Sequence, residues 1–201
     1  ALWATGEFRK DWYDDAMEEI RAIFGPDDEL FAGFIAATSP QERVAPNIDK
    51  AIQAYIQFKT GKDFDVKLAE SVHPNLERVA NAWNHGDGRI TGDVLSGQKV
   101  RAFLDNILGD PNKVTIDTWM GRVFGFPIES NKQFNQFQID FIEQAITLMA
   151  ERAGVAPREM QAALWVGQKI IAEGAQTMVD TLPAVLRERV IMAQDALEDV
   201  I

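Results

Sequence analysis

The sequence contains no cysteine, which excludes disulfides, thiolate zinc sites and iron–sulfur ligation together. Histidine is almost as scarce. With His73 and His85 alone, an imidazole-rich metal centre is a poor fit, and no cofactor is expected. No apolar run approaches the roughly 20 residues that a membrane-spanning helix needs, and no stretch reads as a signal peptide. The expectation is a soluble, cytoplasmic protein without a membrane partner. Gly-rich phosphate loops and the G-x-S-x-G elbow are also missing, which removes the usual anchors of nucleotide hydrolysis and serine-hydrolase chemistry. Asp87-Gly88-Arg89 is not followed by the spacing or the closing glutamate of a calcium loop.

Positive charge is in short supply: 20 lysines and arginines face 31 aspartates and glutamates, for a net charge of −11. The excess sits at the two ends, with −6 in residues 1–30 and −4 in residues 171–201, against −1 for the 140 residues between. Residues 95–125 carry +1, so a local cationic patch is compatible with an acidic chain.

What is present is apolar periodicity. At 201 residues and 46% apolar content, the chain can bury about 70% of its unfolded surface without staples. The spacing predicts helices over residues 7–24, 29–38, 43–59, 74–84, 132–153, 157–172 and 185–200, an all-α fold. Phe8, Trp12, Ala16, Ile20 and Ile23 form the stripe of the first. Phe134, Phe137, Phe141, Ala145 and Leu148 form that of the helix over 132–153, joined by Ile142, Ile146 and Met149. In the helix over 157–172, Met160, Leu164, Gly167 and Ile171 share one face, and Gln161, Trp165 and Gln168 another, an indole between two amides suited to stacking on a base and reading its edge. Pro183 breaks the segment before the last helix, which either packs on the core or mediates self-association.

Residues 95–125 organise the rest. A turn at Ser96-Gly97-Gln98 leads into a helix with Val100, Phe103, Leu104 and Ile107 on its buried face, stopped by Gly109 and Pro111. Val114-Thr115-Ile116 is β-branched and stiff, and it delivers Asp117 to the mouth of the next helix. Asp117 then has two readings: an N-cap that ties off its own helix, or a carboxylate that the same N–H groups hold toward a substrate. Asn47 and Gln41, at the ends of buried helices, either cap backbone or line a pocket.

The order of these features resembles the helix-hairpin-helix/Gly-Pro-Asp superfamily of DNA glycosylases. The hairpin of the type LPGVGxKTA has its counterpart in LSGQKVRA, residues 95–102, and the V-D-T-H-V-x-R segment in IDTWMGR, residues 116–122. The family's early ILSxQT helix looks like IAATSPQ, residues 35–41, with Asn47 and Lys50-Ala51 behind it. The resemblance spans about residues 31–126. It implies a two-lobed helical fold with a helix-hairpin-helix element in one domain, residues 31–126 as the core and 1–30 with 127–201 as the second lobe. It further implies a base flipped out of DNA, Asp117 as the catalytic carboxylate that stabilises charge at the sugar or activates a water, Gln41, Asn47 and Trp119 at the base, joined there by Trp165 from the indole–amide face, and Gly97, Lys99, Arg101 and Arg122 at the DNA backbone.

Three departures shape the expected chemistry. Lys99 stands where the family has its second hairpin glycine, and Trp119 stands two residues after the aspartate in place of histidine. Arg101 aligns with the Schiff-base lysine of bifunctional members, and arginine cannot deprotonate to serve. A two-residue shift in the loop would bring Lys99 to that role instead. The expectation is a monofunctional DNA glycosylase-like protein. Two alternatives stand beside it: a relative of phage-type enzymes that transfer amines onto thymine derivatives in DNA, and a non-catalytic helical module that mimics DNA or binds a protein partner, with the C-terminal helix as the contact for a partner or a second copy.

Overall fold

A computed structural model describes residues 1–67, 73–86, 89–126, 133–174, 182–198 and 200. The described residues are helical, with no strand among them: α1 (Leu2–Gly6), α2 (Trp12–Phe24), α3 (Asp28–Thr38), α4 (Val44–Lys59), α5 (His73–His85), α6 (Gln98–Ile107), α7 (Thr118–Val123), α8 (Gln136–Ala153), α9 (Pro157–Glu173), α10 (Leu182–Met192) and α11 (Gln194–Leu197). Asp87, Gly88 and Pro127 lie outside the described residues.

At the centre is α3, buried at every position from Leu30 to Thr38. Such a helix needs neighbours on all sides, and α2, α4, α5 and α6 supply them. Its Gly33 lets α5 come close, since a Cβ there would lie 2.9 Å from Val79 Cγ1. Phe31 stacks on Phe24 with ring centroids 3.7 Å apart, and Tyr55 meets both rings edge-on. Val185, Leu186 and Leu197 close this first cluster, so the C-terminal segment packs on the core. Here α10 starts at Leu182, which puts Pro183 in its first turn instead of at a break, and the helix expected over 185–200 divides at Ala193 into α10 and α11.

A second cluster joins Val114, Ile116 and Met120 to Ile142, Ile146 and Ala150 of α8 and to Met160 and Leu164 of α9, with Leu2 and Trp3 packed against it. The division between the clusters therefore follows neither residue 30 nor residue 126: α2 belongs with α3, and residues 114–120 belong with α8 and α9.

Two helical faces differ from the periodicity. The first helix does not start at residue 7. Residues Glu7–Arg9 form a 3₁₀ turn, α2 begins at Trp12, and Phe8 is 56% exposed. The cause is the crossing of α1 over α9. A Cβ on Gly6 would lie 1.9 Å from the Ala163 carbonyl oxygen, and one on Gly167 2.3 Å from that of Leu2. Backbone so close to backbone pins the chain at Gly6, and the new helix sets off from there. In α8 the buried stripe is Ile142, Ile146 and Ala150, whereas Phe137 is 70% and Leu148 54% exposed. That helix has two apolar sides. The aliphatic one faces α9, and Phe141 of the other meets Phe124 and Phe126 edge-on at the surface. Ile171 of α9 is likewise exposed.

The α1–α9 crossing makes a first prediction. Gly167→Ala forces a methyl into a backbone oxygen that cannot yield as a side chain would, so it lowers unfolding free energy by about 1–3 kcal/mol in urea denaturation. An unchanged midpoint would show that α1 does not hold α9 in this way.

Candidate functional site

The site is assembled where α6, the stretch before α7, and α9 approach α2 and the start of α4. Gly97, with φ +106°, caps α6 and turns the chain so that Lys99 faces inward one turn before the half-buried Phe103. Val114, Thr115 and Ile116 are buried, which fixes the strand-like approach to α7. Asp117, with extended backbone, is the N-cap: its Oδ1 accepts from Trp119 N–H and Met120 N–H, both at 2.9 Å.

The two readings of this carboxylate turn out to be compatible. Its Oδ2 accepts from the Trp165 indole N–H at 2.9 Å. Three donors thus occupy three of the roughly four lone-pair positions of a carboxylate, and one on Oδ2 is left. Asp117 also borders a cavity of about 100 Å³, several times the roughly 10–15 Å³ that one water requires. Trp12, Phe103 and Trp165 form its aromatic walls, with Trp12 and Trp165 centroids 6.1 Å apart. Tyr13, Thr115, Gln161 and Asn47 supply neutral polar groups, and Glu42, Arg43 and Lys99 the remaining charge.

Lys99 is half-buried and forms no ion pair with any described residue. Burial lowers its pKa below the usual lysine range, and the nearby Asp117 charge offsets part of that shift. A lysine so placed carries a larger share of neutral, nucleophilic amine near neutrality than an exposed one.

Of the residues expected at the site, the fold brings Asp117, Asn47, Trp165 and Lys99 to one cavity. Asn47 is pinned from behind, its Oδ1 2.6 Å from Thr38 Oγ1. Trp165 contributes its ring to the wall, but its N–H is committed to Asp117 and is not free to read a base edge. Gln41 is not in the cavity. Its φ of +62° turns its side chain to solvent, and the neighbouring Glu42 goes inward, paired with Lys50. Trp119 is also outside, because the first turn of α7 carries it past the cavity wall. There Arg122 stacks on its ring at 4.4 Å, and Lys169 reaches it at 5.8 Å and the Trp165 ring at 4.6 Å.

Gly97 and Arg101 belong to another face, beside a wider groove with Asp105, Lys113 and Glu143. Arg101 Nε donates to the Leu95 carbonyl at 2.6 Å, which spends part of the guanidinium on closing its own turn. Sequence reading missed Trp12, Tyr13 and Phe103 as cavity residues, since each also sits on an apolar stripe. Lys169 carried no signal beyond its place one turn after Trp165.

Cations gather at this rim of an otherwise acidic chain. Arg43, Lys99 and Arg122 have no carboxylate within 4 Å among the described residues, and Lys169 is held only loosely, 3.9 Å from Glu173. Elsewhere Arg158, Lys59 and Arg187 are tied to Asp14, Asp27 and Glu19. No group of three or more metal-binding side chains occurs among the described residues.

No curated protein and no solved structure matches the chain. A family of unknown function, DUF7178, matches residues 6–174, a span that takes in every residue lining the cavity. The chain belongs to this family.

Proposed function

We propose that the chain acts on a nucleobase drawn out of DNA into this cavity, as a DNA glycosylase-like enzyme of the two-lobed, helix-hairpin-helix kind. The observation that carries the reading is the meeting of three features on one cavity: a carboxylate fixed by three N–H donors, an amine with a lowered pKa, and a lining of two indoles and a phenyl ring. Indole and phenyl faces favour an unstacked ring, and the cost of extruding a base is a few kcal/mol. Asp117 then stabilises positive charge growing at the sugar, or activates the attacking group, through the remaining position on Oδ2.

Lys99, and not Arg101, lines the cavity, which favours a bifunctional course over the monofunctional one that the sequence suggests. In that course the neutral Lys99 amine bonds to the sugar C1′ as the bond from C1′ to the base breaks, and the base leaves with one amine proton; the C1′–O4′ bond then opens, O4′ takes the second proton from nitrogen, and the resulting imine is reducible by borohydride. The cations Arg43 and Arg122, which have no carboxylate partner among the described residues, support with Lys169 an approach by phosphodiester, so DNA affinity should fall steeply as salt rises. Modification of the base in place of its removal uses the same placement of Asp117. Mass spectrometry of nucleosides from treated DNA separates the two outcomes.

The test is borohydride trapping on DNA containing abasic sites. Wild type is expected to cross-link through Lys99, and Lys99→Arg is not. The yield rises with pH, because neutral amine is the reactive form, with a midpoint below that of an ordinary lysine. Asp117→Asn moves the midpoint further down, since removing the carboxylate removes what favours the ammonium. Equal trapping by Lys99→Arg would sink the lysine's role. No DNA binding even at low salt would leave only the non-catalytic helical module.

A further inference from the structure

The orientation of the Gln161 amide is fixed by one buried hydrogen bond. The Tyr13 hydroxyl donates to Gln161 Oε1 at 2.7 Å. Behind the phenol, Asn106 Nδ2 donates to Thr115 Oγ1 at 2.9 Å. Burial pushes the phenol up to about 12, so the hydroxyl keeps its proton, and its role as donor, across the ordinary pH range. An amide whose oxygen is taken has only its NH₂ group left to offer. The Gln161 nitrogen has no partner among the described residues, and it is not sealed in protein, because Gln161 lines the cavity.

We propose that Gln161 reads the ring edge away from the sugar, at the position that carries a carbonyl in uracil or thymine and an amine in cytosine, so that the site selects the oxo-substituted pyrimidines. The proposal rests on the nucleobase reading above and narrows its substrate class. Tyr13, 148 residues away in the chain, is the positioning residue: it holds the amide the right way round. A ring that turns its own exocyclic amine toward Gln161 sets donor against donor and strands both. A ring carbonyl accepts instead, and the Lys99 ammonium adds a second donor to the same cavity. An unpaired buried donor accounts for a preference of about tenfold or more.

The experiment titrates the full chain, labelled with ¹⁵N, with uracil and with cytosine as their 2′-deoxynucleosides, whose sugar on N1 shields the C2 carbonyl that both share, following the side-chain NH₂ resonances of Gln161. Uracil should move them at concentrations at least about tenfold lower than cytosine. Gln161→Glu turns an oxygen to the cavity and should reverse the order, read on the Trp165 indole resonance. Tyr13→Phe frees the amide to rotate and should erase the preference. Equal response to both bases, no response to either, or an unchanged order in Gln161→Glu overturns the proposal. Binding of uracil in a protein inactive on every DNA tested would instead retire the enzymatic reading and leave the preference standing.

Discussion

On the proposed function, Asp117→Asn is expected to lower base turnover by about 10²–10⁴-fold, the range that one acid–base or charge-stabilising group supplies, and to leave the fold nearly as stable as before. The separation follows from what each oxygen does. Oδ1 caps α7, and asparagine caps a helix about as well as aspartate. Oδ2, which accepts from the Trp165 N–H and offers the free position to the cavity, becomes an NH₂ group facing another N–H. The charge is lost, the last acceptor position is lost, and Trp165 loses its tether, all without uncapping the helix. Asp117→Ala removes the cap as well and should cost about 1 kcal/mol of stability beyond its effect on turnover. Single-turnover assays of base release or modification, alongside urea denaturation of both variants, make the comparison. If Asp117→Asn kept wild-type turnover, the carboxylate would be a cap and nothing more.

Phe31→Ala lowers unfolding free energy by about 3–5 kcal/mol. Phe31 is fully buried at the centre of α3, face to face with Phe24 and edge to Tyr55, and the surrounding helices are too constrained to collapse into the space it leaves. Typical domains are stable by only about 5–15 kcal/mol, so this one change takes a large share. For a chain of this size it corresponds to a fall in Tm of roughly 6–20 °C. The exposed Phe137 provides the control: Phe137→Ala should stay within about 0.5 kcal/mol of wild type. A loss below about 1 kcal/mol for Phe31→Ala would mean that the packing around α3 is not what holds the fold.

The contrast between these two phenylalanines shows what the sequence could and could not convey. Helices were readable wherever one apolar stripe dominated, as at Val100, Leu104 and Ile107, because only one face could go inside. In α8 two stripes compete, aromatic and aliphatic, and the choice between them is made by α9, far along the chain. Asp117 was readable as the capping residue because β-branched residues before it and a Thr-Trp-Met start after it leave few other conformations. Its bond from the Trp165 indole, 48 residues on, is something nothing local announces. Gln41 and Trp119 failed for a related reason: one left-handed residue, or the first turn of a six-residue helix, decides which neighbour faces the cavity. The same turn exchanged Gln41 for Glu42. Lys99 and Arg101 lie two residues apart on α6, and only the direction of the helix separates them into different clefts.

Of the five tryptophans, Trp12 and Trp165 wall the cavity, Trp119 lies at its rim, and Trp3 and Trp83 pack elsewhere. Indole ¹H–¹⁵N spectra recorded at low salt during titration with a duplex carrying one unpaired base read this arrangement directly. Shifts at Trp12 and Trp165, absent with a fully paired duplex and absent at Trp3 and Trp83, are the expected result. Binding that leaves Trp12 and Trp165 unmoved, or no binding at all, would contradict the claim that a base enters beside Asp117.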